Sequence, residues 1–110
     1  MLLSTDIWVS ALIRRAELGG GFGVVTKKGD PRAGAVLVKV LNRTDGTARL
    51  YSEATRMDGE RIWMQPALST EEPDLDRYIE RALKVDPDLW VVEIEDKEGR
   101  HSLVEPVERG

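Results

Sequence analysis

Residues 29–40 read GDPRAGAVLVKV, a sharply punctuated turn that leads directly into an alternating apolar strand. Pro31 fixes its own φ and disfavours helix at the residue before it, while the two glycines of the turn accept conformations that other residues resist. After the turn the apolar side chains alternate, which places Val36, Val38 and Val40 on one face. The stretch therefore predicts the start of a strand within a sheet, and it identifies no reaction.

Hydrophobic periodicity and turn residues extend this prediction along the chain, in the order α-β-β-β-β-α-β-β. The predicted helices cover residues 5–18 and 73–84, and the predicted strands cover residues 22–28, 35–41, 47–52, 61–65, 90–95 and 101–104. Short links between consecutive strands favour antiparallel pairing. We therefore predict one α+β domain over residues 1–104, with a mainly antiparallel sheet of five to six strands, two helices on one sheet face and a frayed tail at 105–110.

Local signals support these boundaries. Apolar residues recur at helical spacing from Trp8 to Ala16, and the glycine-rich run at 19–23 follows that helix. Because a helix C-terminus repels anions, this run predicts a helix cap rather than a phosphate loop. The pair Asp45-Gly46 between two alternating runs is a strong hairpin signal, and Asp86-Pro87 ends the second helix.

The composition narrows the possible function classes. The chain has 110 residues with 16 basic and 20 acidic side chains, a net charge of −4, whereas nucleic-acid binders usually carry a positive field. It has no cysteine, which excludes disulfides, thiolate catalysis and cysteine-based metal centres. No apolar run approaches the roughly 20 residues of a membrane-spanning helix. We therefore expect a cytoplasmic protein without membrane, metal or cofactor, and nucleic acid is disfavoured as a partner.

Basic side chains in the first part of the chain form a candidate anion-binding surface. They are Arg14, Arg15, Arg32 and the pair Lys27-Lys28. Guanidinium groups suit bidentate binding of phosphate or carboxylate. The alternative is that these are solvated surface charges in loose ion pairs that contribute little. Arg32 is the one member of the turn at 29–34 that the geometry of entering a strand does not explain.

His101 is the only histidine, and it follows an acidic stretch at 93–98. Paired with a carboxylate, it could act as a general base or join a metal site. The alternative is a structural histidine beside a plain solvent face, since Glu93 and Glu95 point to the same side of one strand. No characteristic metal-ligand spacing occurs, and no serine lies in a Gly-x-Ser-x-Gly elbow. The pattern favours the structural interpretation.

Three tryptophans stand among only six aromatic residues. Trp8 and Trp90 lie among apolar neighbours, which predicts that both belong to the core. Trp63 shares its strand face with Arg61, and Tyr51 on the adjacent predicted strand has the same character. An exposed aromatic among arginines is typical of interaction hot spots. The competing interpretation, that this face is also covered and Trp63 is core, stays open.

Three segments in combination resemble a family of small bacterial proteins known only as a domain of unknown function. The segments are IWVSA with Arg14-Arg15 at residues 7–15, GDPRAGAV at residues 29–36, and DPDLWVVEIED at residues 86–96. The resemblance spans nearly the whole chain. It implies a stand-alone bacterial cytoplasmic protein, and it carries over no activity, cofactor or functional residue.

The sequence thus leaves the function open, with three hypotheses. The first is a non-catalytic binding or adaptor module that meets a protein partner or a second copy through a sheet face or oligomeric interface. The second is a small enzyme or ligand-binding protein that uses His101 and the carboxylates at 93–98. The third is weak nucleic-acid binding through the basic residues at 14–32. The absence of a nucleophile–base pair and of metal-ligand spacing favours the first.

Overall fold

A computed structural model describes residues 4–66 and 69–109 of the chain. Two helices and six strands follow one another in the predicted order. The helices are α1 (Thr5–Leu18) and α2 (Glu72–Val85), and the strands are β1 (Phe22–Lys27), β2 (Val36–Asn42), β3 (Ala48–Thr55), β4 (Arg61–Gln65), β5 (Trp90–Asp96) and β6 (Val107–Arg109). The predicted α+β class and element order are confirmed. No helix in the described part of the chain is long and apolar enough to cross a membrane.

The six strands form one mixed sheet in the order β1-β5-β2-β3-β4-β6. The pairs β1·β5, β2·β3 and β3·β4 are antiparallel, as the mainly antiparallel prediction requires. The pairs β2·β5 and β4·β6 are parallel, so the sheet is mixed. Positive-φ glycines close the two consecutive hairpins, Gly46 at φ 75° and Gly59 at φ 90°. The hairpin prediction at Asp45-Gly46 is therefore confirmed.

The turn at 29–34 does not close a hairpin between β1 and β2, because β5 lies between those two strands. The turn instead crosses the start of β5, where the Asp30 N–H donates to the Asp88 carbonyl at 3.0 Å and the Trp90 indole N–H donates to the Asp30 carbonyl at 2.7 Å. A Cβ added at Gly29 would lie 2.1 Å from the Asp88 oxygen. Close approach of two backbones, and not a left-handed turn, therefore requires glycine here.

The two helices cover opposite faces of the sheet, which corrects the expectation that both pack on one face. Val36, Val38 and Val40 pack with α1, and Leu37 between them packs with α2. The first five residues of β2 are all buried. A central strand that is apolar on both sides needs a cover on each face, and one helix supplies each cover.

The chain after β5 also departs from the predictions. No strand forms over 101–104, where Ser102 adopts φ 63° and the Leu103 side chain is buried in the α1-side core. Residues 100–106, which we call the crossing segment, carry the chain over the α1 side of the sheet to its far edge. There β6 pairs with β4 in the stretch for which a frayed tail is predicted, so that prediction is wrong for residues 107–109.

Candidate functional site

A cleft of about 350 Å³ with both polar and apolar lining opens beside the first turn of α1. The turn at 29–34, the end of β3 and the start of β4 form its other walls. Its polar lining includes Thr5, Arg32, Glu53, Thr55 and Arg61. We call it the arginine cleft, because two of the arginines singled out in the sequence lie in it.

Hydrogen bonds hold the turn at 29–34, which carries Arg32, against the start of α1. The Thr5 N–H donates to the Arg32 carbonyl at 3.2 Å, and the Thr5 hydroxyl donates to the Gly34 carbonyl at 3.1 Å. The Arg32 N–H in turn donates to the Asp30 carboxylate at 2.9 Å. The Arg32 side chain is exposed and makes no hydrogen bond or ion pair with any residue that the structure describes. The turn thus fixes the backbone of Arg32 and leaves its guanidinium free.

Arg61 is held in place on the other side of the cleft. Its Nε lies 2.7 Å from Glu53 Oε2, and its Cζ lies 5.4 Å from the centre of the Trp8 ring system. The other oxygen of Glu53 accepts the Val36 N–H at 3.0 Å. Burial raises the pKa of Glu53 more than Arg61 and the Val36 N–H lower it. Both Glu53 oxygens are therefore occupied by partners within the fold.

The Trp8 ring that Arg61 contacts is itself stacked on the ring of Trp63. The Trp8 and Trp63 rings are 5.3 Å apart at an interplanar angle of 27°. Both indole N–H groups donate to the Glu105 carboxylate, Trp8 at 3.2 Å and Trp63 at 3.0 Å. Burial raises the pKa of Glu105, but these hydrogen bonds outweigh it and hold the pKa below its usual value. Sequence reasoning missed Glu105, because it lies in the predicted tail and belongs to no motif.

The proposed aromatic interaction patch does not exist at the surface. Trp63 is 0% exposed and Tyr51 is 4% exposed, so both belong to the core, as do Trp8 and Trp90. The α1 helix and the crossing segment cover this face of β3 and β4, which is why the surface interpretation of Trp63 is wrong. Of the predicted patch, only Arg61 reaches solvent, and it does so within the arginine cleft.

His101 does not meet the carboxylates at 93–98. It packs edge-on against Tyr51 with ring centres 5.1 Å apart, and its Nδ1 accepts the Leu103 N–H at 2.9 Å. Burial lowers its pKa. Glu93 lies on the other face of the sheet, 3.4 Å from the buried Lys39, and Asp96 pairs with Arg100. Within residues 4–66 and 69–109, no group of three or more His, Asp or Glu side chains could hold a metal ion.

The remaining basic candidates do not line the cleft. Arg14 is exposed on α1 about 14 Å along the helix axis from Thr5, at 1.5 Å per residue. The Nε of Arg15 donates to the Ser102 carbonyl at 3.0 Å, so Arg15 anchors the crossing segment. The Lys27 ammonium donates to the Lys28 and Pro87 carbonyls. Of the predicted basic surface of Arg14, Arg15, Arg32 and the lysine pair, the cleft therefore contains Arg32 alone.

The cleft has the chemistry of an oxyanion site. Two arginines and one glutamate line it, and the Nη atoms of Arg61 make no hydrogen bond with a described residue. The Thr55 side chain at the rim is exposed. Such a site can receive a carboxylate or phosphate through paired N–H donors.

Comparison with known proteins gives a consistent answer on family and no answer on activity. The family model described as "Protein of unknown function (DUF1491)" matches residues 3–104. A crystal structure of a DUF1491 family protein from Caulobacter crescentus is 74% identical, with TM-score 0.93, over 96% of this chain and 99% of that chain. A solution structure of a protein from A. tumefaciens is 38% identical, with TM-score 0.79, over 96% of this chain and 97% of that one. A search of curated proteins found no match. The resemblance to a bacterial family of unknown function is confirmed.

Proposed function

Since this chain belongs to the DUF1491 family, whose description assigns no activity, we propose a function from its own geometry: it is a non-catalytic binding module that holds an anionic group of a protein partner in the arginine cleft. One observation carries the proposal. Arg32 and Arg61 line the same cleft, and the Arg32 guanidinium has no partner among the described residues.

The two arginines have complementary roles in this proposal. Glu53 and the Trp8 ring hold the Arg61 side chain in one orientation before any ligand arrives, which reduces the entropy lost on binding. Arg32 supplies a positive charge that forms no ion pair with any carboxylate among the described residues. In this proposal an acidic side chain or a phosphate group of the partner binds to both arginines, because carboxylate and phosphate each present oxygens to the N–H fork of a guanidinium.

A binding role is better supported than a catalytic one. Glu53 is the only carboxylate among the polar lining residues. One of its oxygens accepts the Val36 N–H and the other is paired with Arg61, so neither oxygen of this carboxylate is without a partner. The Thr5 hydroxyl donates to backbone carbonyls and has no adjacent base that would make it a nucleophile. A cytoplasmic location belongs to the same proposal, and the absence of cysteine is compatible with it.

The test is an NMR titration of the protein with inorganic phosphate and with acetate, in which the side-chain Nε–H signals of the arginines are followed. We expect saturable shifts at Arg32 and Arg61. The Arg32→Gln variant should bind phosphate at least tenfold more weakly, equivalent to about 1.4 kcal/mol.

Arg14→Gln is the matched control, because it removes the same charge from an exposed arginine of α1 that lies outside the cleft. It should leave the affinity unchanged. Equal losses in Arg14→Gln and Arg32→Gln would mean that the anions respond to overall charge only, and the proposal would be wrong.

A further inference from the structure

A second concavity lies on the opposite face of the sheet from the arginine cleft. It opens between the C-terminal half of α2 and strands β2 and β3, and its volume is about 410 Å³. This volume is within the range of about 300–1,000 Å³ typical of small-molecule sites. We call it the α2 groove.

The walls of the α2 groove are largely apolar. Tyr78, Ala82 and Val85 line it from α2, where spacings of four and three residues place them on one helix face. Leu37 and Leu89, both buried, form the opposite wall. Val85 is 87% exposed, so apolar surface continues from the interior of the groove to its mouth. An apolar ligand body would remove this surface from water.

Three polar groups along the α2 groove lack partners. The hydroxyls of Ser52 and Tyr78 and the guanidinium of Arg81 make no hydrogen bond with any residue in the described part of the chain. Asp86 also lines the groove, but one of its carboxylate oxygens accepts the Asp88 N–H at 3.1 Å in the turn that follows α2. Among the lining residues, the positive charge that the head group of a ligand can meet is that of Arg81.

From these features we propose that the α2 groove binds a small amphipathic anion, with an alkyl or aromatic body against Leu37, Ala82 and Leu89 and a carboxylate at Arg81. A large apolar wall with a few convergent polar groups is the usual composition of a ligand site. The guanidinium fork selects a carboxylate over a neutral or cationic head group. This site is independent of the arginine cleft, because the two lie on opposite faces of the sheet.

The experiment uses decanoate as the probe and follows backbone amide signals by NMR. It is performed in the Arg32→Gln background, so that binding of the carboxylate in the arginine cleft does not contribute. We expect saturable shifts at Leu37, Ser52 and Ala82. Decanol and decyltrimethylammonium, which share the alkyl body, should each bind at least fivefold more weakly than decanoate.

Three variants of α2 test the site, and two of them separate it from general surface charge. Arg81→Gln should weaken decanoate at least fivefold and leave decanol unchanged. Lys84→Gln, which removes a positive charge from an exposed residue of the same helix that does not line the groove, should have no effect. Ala82→Leu, which places additional atoms in the groove, should reduce binding of all three probes.

Three results would overturn the proposal. The first is the absence of any saturable shift with decanoate, and the second is equal affinity for decanoate and the cationic probe. The third is a set of shifts at the groove that appears when the protein concentration is raised without any probe. The last would mean that a second copy of the chain occupies the groove. Failure here would leave the arginine cleft untouched, because the phosphate titration reports on different residues.

Discussion

Replacing Glu105 by glutamine removes the negative charge to which two buried indole N–H groups donate. The distances are 3.2 Å from Trp8 and 3.0 Å from Trp63, and the Trp63 side chain is fully buried. A hydrogen bond to a charged group contributes about 1.5–3 kcal/mol. Glutamine retains one carbonyl oxygen for one indole and turns N–H donors toward the other. We expect a loss of about 2 kcal/mol in the free energy of unfolding, and a fall of roughly 8 °C in Tm.

Urea unfolding followed by tryptophan fluorescence measures this loss. Glu80→Gln is the control, since it removes the same charge from an exposed residue of α2. Surface substitutions of that kind usually change stability by no more than about 0.5 kcal/mol. If Glu105→Gln is as stable as Glu80→Gln, the carboxylate does not hold the tryptophan pair and the reasoning is wrong.

The pH dependence of Glu105 supplies a second readout with a definite sign. Burial raises the pKa of Glu105, and the hydrogen bonds from Trp63 and Trp8 outweigh it, so the folded-state pKa lies below the usual 4.5. A carboxyl group with a lowered pKa contributes stability above its unfolded pKa and loses that contribution as pH falls through its folded pKa. The stability difference between the wild type and Glu105→Gln should therefore be full above about pH 5 and narrow below 4.5. A difference that stays constant with pH would contradict this assignment.

Three further predictions concern the core and the loops. Trp63→Ala should lower the free energy of unfolding, measured by urea titration, by about 3–5 kcal/mol. If the variant has wild-type stability and weakened self-association, Trp63 belongs to an interface and the core assignment is wrong. Gly29→Ala should lower the free energy of unfolding by about 1–3 kcal/mol or more, because the added Cβ would lie 2.1 Å from the Asp88 carbonyl oxygen. Gly19→Ala is the control, since its Cβ would have contacts at 3.6 Å, and it should be nearly neutral in the same assay. Burial raises the pKa of Asp96, but hydrogen bonds from Arg100 and Glu98 outweigh it and lower the pKa to about 2. Wild-type Tm should therefore fall as pH drops from 3.8 toward 2. Asp96→Asn should lack that part of the pH dependence; parallel Tm curves would refute the assignment.

Local patterns predicted the elements well where the signal lies within one segment. The bounds of α1 match the prediction, because its apolar spacing and the glycines after it are both local. The hairpins at Gly46 and Gly59 also follow from turn chemistry alone. The position of β5 between β1 and β2 has no such signal. It depends on which strand is apolar on both faces, and therefore on burial that the whole fold creates.

The candidate site was only partly foreseeable. The sequence points to Arg32 because the geometry of the turn leaves it unexplained, and to Arg61 because of its neighbours along β4. Their convergence in one cleft depends on the turn docking against Thr5, a contact across 27 residues of sequence. Glu105 had no local signal, since its partners Trp8 and Trp63 are 97 and 42 residues away.

Local sequence patterns suffice for the two helices, for strands β1 to β5 in their order along the chain and for the hairpins at Gly46 and Gly59, because each depends on residues within a few positions of one another. The composition alone excludes cysteine chemistry. Tertiary structure alone decided that Trp63 is core, that His101 lies on the opposite face from Glu93, and that Arg32 and Arg61 share a cleft. These properties depend on which segments cover which sheet face. For residues 29–40, local rules predict a turn followed by a strand. The fold shows in addition that position 29 requires glycine, because the turn crosses the start of β5 at close range there. The physical reason is that turn preferences are local energies, whereas close packing of backbones is set by distant parts of the chain.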